Sequence, residues 1–571
     1  MSARQYLLVR SQQRENTYGP FTGEILKAEG LMGFETVDLD ASAMPVLQPR
    51  DLVVLTRCFL WNSEIDMLYS AVEAGTRLVC LQPAPRLAER FGWESQSRVI
   101  HPGWVTIREG YPGSGTPIQT HVPISAFKPV ASADESTYIA DAMCADWSCG
   151  NIPAATCQDV GKGKVALVFY DLPKAVARIR FGNPDLASLV THGHWEMIHA
   201  FNLFVDHLDG RVSHLPQADF HCQLLARVLT DICAYPLPRF WYYEEAQHRT
   251  AAVFQSDDDG STPEQFQELS EALTQRGGTA TFYLMEDTKL SDEQVQALRA
   301  KGHTFGPHVN AHSSGEDFRL GLPAQLVKET QLFRDRYGEM SSTIQSHCAP
   351  WYAYMDWVPL HVENGFRLLF AFIGNPMNLF NRYMCGSGRP MRFFDVDGTL
   401  YDCWQQPLVT MDDGSIKERI SNNYPQLVKQ FASLLRDALE KNHTAIPILS
   451  HPVSFSTYSK VFMAPAFDLL AQENVPIYNG DEWCEFLDRR DAVGIEHSVG
   501  EDKEIRYTVS NLAGRLPLML PVTHAEGETP EVLVDGVRAE GVLQRRLQQD
   551  YLFVPLEAAE AGEEIRVVVR E

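Results

Sequence analysis

The sequence has no apolar run approaching the ~18 residues that a membrane-spanning helix requires. Its opening stretch, MSARQYLLVRSQQREN, carries too short an apolar core for a secretory signal and no small-residue cleavage site. The cytoplasm is therefore the expected location. Positive charge is in short supply: 49 Lys and Arg against 74 Asp and Glu leave a formal net charge of −25. That balance argues against nucleic acid or an anionic membrane surface as a partner. No C-x-x-C pair occurs, and the 11 cysteines are scattered and odd in number, which fits reduced structural thiols rather than a disulfide framework. Internal repeats and low-complexity segments are lacking too. GKGK at 161–164 does not have the spacing of a phosphate-binding loop.

What remains is an ordinary globular composition, 44% hydrophobic and 22% charged, in a chain of 571 residues that is too long for one core. The first part alternates short apolar runs of buried-strand length (QYLLVR, FETVDL, DLVVLTR, RLVCLQ, VALVFY) with helical segments. One helix is expected from Ser63, with Asp66 as its box partner, to Gly75; Ile65, Leu68 and Val72 share a face. This pattern predicts a flavodoxin-like, doubly wound parallel sheet over residues 1–185. A helical bridge is expected over 186–246. A second β/α series over 247–492 has about eight strands, the number of a β/α barrel. Short strands separated by Gly and Pro turns over 493–571 predict a small β-sandwich.

Within the second series, Asp257-Asp258-Asp259-Gly260 follows one strand, His308 another and His451 a third, with His312 four residues beyond His308. Barrel strand ends converge on one mouth, so residues far apart in sequence can share a site there. Two imidazoles and a carboxylate with an open position bind Zn²⁺ or a similar divalent ion, and a water there is acidified towards ~7. Each feature alone has a bland reading: an acidic run before Gly is commonly a solvated turn, and a His pair four apart is commonly incidental. Order, spacing and strand-end placement together carry the signal.

The series resembles the NodB-type polysaccharide deacetylases. Their T-F-D-D-G motif is similar to Ser256-Asp257-Asp258-Asp259-Gly260, which implies Asp258 as general base and Asp259 as metal ligand, although three consecutive Asp leave the register open by one residue. Their H-x-x-x-H motif resembles His308 to His312, implying both as ligands, and L-x-H resembles Leu449-Ser450-His451, implying His451 as general acid. A supporting Asp and Trp would be Asp402 and Trp404. The third motif departs from the family: His347-Cys348-Ala349-Pro350-Trp351-Tyr352 places Cys348 where the family has an Arg, and a thiol cannot supply that charged fork. His347 is the substitute considered for orienting the base, with a backbone N–H near Trp351 or Tyr352 aiding the oxyanion.

The resemblance thus implies a metal-dependent hydrolase of non-peptide amide bonds, with a divalent ion, Zn²⁺ by expectation. An N-acetylated sugar, oligosaccharide or small amide is the implied substrate; self-association stays open. Two alternatives remain. A barrel without the Arg could bind carbohydrate without turning it over, with Trp351, Tyr352, Tyr354, Trp357 and Trp404 as a stacking wall or as plain core. FFDVDGTL at 393–400 also resembles the D-x-D-G-T motif of haloacid-dehalogenase-type phosphatases, although an Asp-Gly turn accounts for it equally. Finally, DLVVLTRCFLWNSEIDMLYSAVEAGTRLVCL resembles glutamine-amidotransferase-like domains. Neither Cys58 nor Cys80 has the flanking glycines of a nucleophile elbow, so that domain is expected to be non-catalytic.

Overall fold

The computed structural model describes residues 3–130, 137–188, 199–310, 318–351, 353–372, 383, 385–412, 424–499, 504–522, 530–558 and 562–570. It is a mixed α/β, multi-sheet molecule with parallel sheets. None of its described helices is long and apolar enough to cross a membrane.

Near the N-terminus, Phe34–Asp38, Gln5–Val9, Leu52–Leu55, Arg77–Leu81 and Gly163–Val168 lie side by side and parallel, in that spatial order. Leu52–Leu55 is buried along its whole length, as strands covered on both faces must be. The sheet is not purely parallel as expected. Cys149–Val160, Tyr138–Met143, Trp104–Ile107 and Ile118–Gln119 extend it antiparallel to nine strands. The hairpin that reverses direction pairs Val160 with Gly163, so GKGK forms a tight turn. Gly161 sits at φ +58°, and a Cβ there would lie 2.6 Å from the Glu73 carbonyl oxygen.

The early helix runs Asn62–Ala74, one residue ahead of expectation. Its box is made by Glu64, whose carboxylate accepts from the Trp61 N–H at 2.7 Å, and not by Asp66. Ile65, Leu68 and Val72 are its buried face, and Gly75 ends it at φ +130°. Cys80 is buried within its strand and burial drives its thiol well up; burial pushes Cys58 up to about 12. Neither is poised as a nucleophile.

The bridge contains the helix Gln217–Ile232, and Arg239–Phe240 leaves it to pair with Leu518–Pro521 of the C-terminal region. That region holds a five-stranded and a four-stranded antiparallel sheet.

In the central region, Thr304–Pro307, Thr281–Leu284, Ala252–Asp257, Ile446–Ser450 and Thr410–Met411 run parallel, in that order. Thr343–Ile344, Leu368–Leu369 and Leu400–Gln405 form a second parallel set. Backbone bonds join the sets at one side, from Ser341 N–H to Phe305 O (2.7 Å) and His347 N–H to Val309 O (2.9 Å). At the other side the chain of Leu400–Gln405 runs on into Thr410–Met411. The result is a ring of parallel segments whose carboxyl ends share one rim. Helices Pro263–Thr274 and Asp292–Arg299 pack outside it, and both begin with a capping box, the second from Ser291 to Gln294 as its sequence predicts.

One continuous apolar cluster runs from the N-terminal sheet through the bridge and ring interior to the C-terminal sheets, and a second lies under the outer helices. Buried among them, the Glu29 carboxylate accepts from Arg239 Nη2 (2.7 Å), the Tyr242 hydroxyl (2.7 Å) and Arg389 Nη1 (2.5 Å).

Candidate metal centre

The rim is where the polar residues gather. Asp257 is the last residue of its strand; His308, His451 and Asp412 each directly follow one, and His347 stands three residues past Ile344. Register places Ser256 opposite Ser450, so Asp257 and His451 emerge as neighbours. Asp259 takes φ +43°, a left-handed turn that brings its carboxylate back over the rim.

Asp259 Oδ1 lies 3.3 Å from His308 Nε2 and 3.3 Å from His347 Nδ1. One donor atom from each of these three residues lies within 4.8 Å of the others. His308 Nδ1 is 2.8 Å from the Gln345 carbonyl oxygen and donates to it, which turns the other ring nitrogen, Nε2, towards Asp259. Across the rim, His451 Nε2 is 3.8 Å from Asp259 Oδ2 and 4.0 Å from Asp257 Oδ2. Behind it, His451 Nδ1 donates to Asp412 Oδ1 at 2.9 Å. Asp412 is fully buried and also accepts from the Ser450 and Ser459 hydroxyls, at 2.7 and 2.8 Å.

These contacts set the electrostatics. Burial raises the Asp257 carboxyl to about 6, against the opposing pull of His308 and His451. Asp259, although burial works the other way, is held far below the usual carboxylate range by the adjacent imidazoles of His308, His347 and His451. His347 is lifted to about 10, first by the adjacent Asp259 carboxylate and then by Cys348. His308 is raised as well, because Asp257 and Asp259 outweigh its burial.

The other sequence-nominated residues are placed as follows. Asp258 turns away from the rim: its carboxylate accepts from the Ser261 N–H (3.1 Å) and the Met285 N–H (3.3 Å) and closes the turn. His312 and Tyr352 lie outside the described residues. Trp351 is fully buried, stacks on Phe393 at 5.7 Å and donates its indole N–H to the Tyr354 carbonyl oxygen at 2.6 Å. Tyr354, Trp357 and Trp404 are buried too, so among the described residues these aromatics are core and form no exposed wall. Asp402 is not at the cluster; its exposed carboxylate faces Arg392 and Arg367. Trp404 instead donates to Asp488 at 2.9 Å. Cys348 is exposed at φ +61°. Asp395 and Asp397 spend a carboxylate oxygen each on backbone N–H groups of the hairpin turn between the antiparallel strands Met391–Phe394 and Leu400–Gln405.

Sequence reasoning missed Asp412. The available signal was a carboxylate directly after Met411, at the end of a strand that pairs with the one His451 follows.

The site fits a divalent ion. Asp257 Oδ1 and His308 Nε2 are buried with no hydrogen-bond partner among the described residues. Such atoms are costly unless something fills the space they face. A carboxylate with two imidazoles is a donor set suited to Zn²⁺.

No family model and no curated protein matches the chain. Solved structures similar to it include a Mycobacterium smegmatis protein assigned as a polysaccharide deacetylase (13% identity, 45% of this chain and 94% of that one, TM-score 0.34). A family 4 carbohydrate esterase from Streptomyces lividans in complex with acetate is another (12% identity, 40% and 89%, TM-score 0.25). A third is the exo-β-1,4-mannosidase Op5Man5 from Opitutaceae bacterium strain TAV5 (16% identity, 31% and 32%, TM-score 0.23); the chain spans about a third of that enzyme's length.

Proposed function

We propose that residues 247–492 form a metal-dependent hydrolase of amide bonds, with N-acetylated sugars or oligosaccharides as the substrate class that the sequence resemblance favours. The observation that carries this reading is the meeting of Asp257, Asp259, His308, His347 and His451 at one rim, with Asp412 behind His451. Asp259 and His308 are the core of the ligand set. A divalent ion held there supplies Lewis acidity, polarising the acyl carbonyl and lowering the pKa of water towards ~7.

The remaining roles fall to side chains. Asp257, rather than Asp258, faces the cluster and carries an oxygen without a hydrogen-bond partner among the described residues, so it is the group to accept a proton from the attacking water. His451, on the other side and fixed by Asp412, returns a proton to the departing nitrogen; acetate and a free amine are the products. The missing Arg matters here. Among the described residues the ion pairs of Asp257 are with His308 and His451 and none is with a guanidinium, and burial raises its carboxyl to about 6, a value still compatible with a base at neutral pH.

The test is metal analysis combined with acetate release from N-acetylated saccharides. Asp259→Asn and His308→Ala should lose the metal, whereas His451→Ala should keep it and lose turnover. A wild-type protein that binds no divalent ion refutes the reading. Stoichiometric metal with no acetate from any substrate would instead favour the carbohydrate-binding alternative, which the Cys348 replacement supports.

A further inference from the structure

We infer that His347 is itself a metal ligand, contributing an imidazole from the segment where the family carries its charged Arg motif. The inference rests on the metal-dependent reading above and deepens it.

Three features of the geometry carry it. First, His308 Nε2 and His347 Nδ1 are equidistant from a single oxygen, Asp259 Oδ1, at 3.3 Å. Zinc bonds of about 2.0–2.1 Å at tetrahedral angles set neighbouring donor atoms about 3.3–3.4 Å apart, so both distances equal an edge of such a shell. Second, the two rings lie 5.3 Å apart between centroids and are inclined by 72°. Two imidazoles sharing a tetrahedral ion through one nitrogen each are separated by about 5 Å. Third, the pair is fixed by backbone. The Gln345 carbonyl accepts from His308 Nδ1 at 2.8 Å, and the His347 N–H donates to Val309 O at 2.9 Å. These two bonds, neither of which involves an ion, hold the segments side by side, as expected of a preorganised ligand pair.

The neighbouring residue explains why the imidazole is available. Cys348, at the family's Arg position, is at φ +61° and exposed. His347, one residue earlier, is the part of the motif that turns inward. Aligned on motif position alone, His347 reads as an orienting group for the base. In space its nitrogen meets the carboxylate of Asp259, the proposed ligand, and the base Asp257 lies beside His308.

The experiment uses the full chain loaded with Zn²⁺ or Co²⁺, comparing wild type with His347→Ala, His347→Gln and His347→Gly. Removing an outer-shell partner costs about 10–100-fold in metal affinity. Loss of a ligand should exceed that range by calorimetry or chelator competition. The Co²⁺ visible spectrum should change in band position, and added imidazole should restore both affinity and spectrum in His347→Gly. The Ala and Gln variants guard against one failing to fold, checked by circular dichroism of the metal-free proteins. The inference is overturned if folded His347 variants bind Co²⁺ with wild-type affinity and an unaltered spectrum. It is equally overturned if affinity falls within the outer-shell range with the spectrum intact and no rescue by imidazole. A wild-type protein that takes up no ion would sink the hydrolase reading as well, whereas normal loading of the His347 variants sinks only this inference.

Discussion

Replacing Asp257 by Asn tests the site through stability rather than turnover. Burial lifts this carboxyl from 3.8 to about 6 in the metal-free fold. At about 1.4 kcal/mol per tenfold change in proton affinity, that displacement corresponds to about 3 kcal/mol. The folded protein holds the proton more tightly than the unfolded chain, so the contribution is present in full below pH ~4 and is lost as pH rises through 6. Above pH 7 the metal-free wild type therefore carries a buried charge that its surroundings only partly offset. The amide of Asn carries none. Urea unfolding of both proteins, stripped of metal, at pH 4.5 and pH 8 should show the variant more stable at pH 8 by up to about 3 kcal/mol, with the gap shrinking at pH 4.5. Acetate release by the variant should be abolished. Such an opposition between stability and activity is expected of a group kept for chemistry. A variant no more stable than wild type at pH 8 would refute the claim that Asp257 is held charged at a cost.

Asp412→Ala removes the acceptor of two serine hydroxyls and the His451 imidazole from a fully buried position. It should cost at least about 2 kcal/mol in chemical unfolding. Asp412→Asn should keep the fold but loosen the hold on the His451 imidazole, read as a fall in kcat with metal content unchanged. Chelation should lower the melting temperature, and metal restored at 100 times its Kd should return about 2.7 kcal/mol; an unchanged melting curve counts against a resident ion. Glu29→Ala strands Arg239 and Arg389 without their shared carboxylate and should cost about 3–5 kcal/mol by thermal or urea unfolding.

Strand ends were the most legible part of the molecule. Asp257, His308 and His451 each stand where an apolar run stops, and parallel runs bring their carboxyl ends together whatever the sequence distance between them. The order within Asp257-Asp258-Asp259 was not legible. Which carboxylate faces inward depends on strand alternation and on the left-handed turn at Asp259, and neither is written in three identical residues. Asp402 and Trp404 had the right residue types, yet they belong to the strand Leu400–Gln405 before it crosses to the other sheet. Asp412 lies beyond that crossing and reaches the rim. The helix Asp292–Arg299 could be read because its cap is local chemistry. The antiparallel extension of the first sheet could not, since one hairpin at Gly161 decides its direction and pairing partners decide the rest.

The carboxylate at position 29 also bears on how the molecule comes apart. It is tethered to an arginine that leads into the C-terminal sheets and to another on the ring's own chain. An excised ring would carry Arg389 with no counter-charge and with apolar faces bared to water. Calorimetry of the whole chain should therefore give one transition rather than three, and limited proteolysis should release no stable central fragment. In this architecture the beads of sequence are not beads in space.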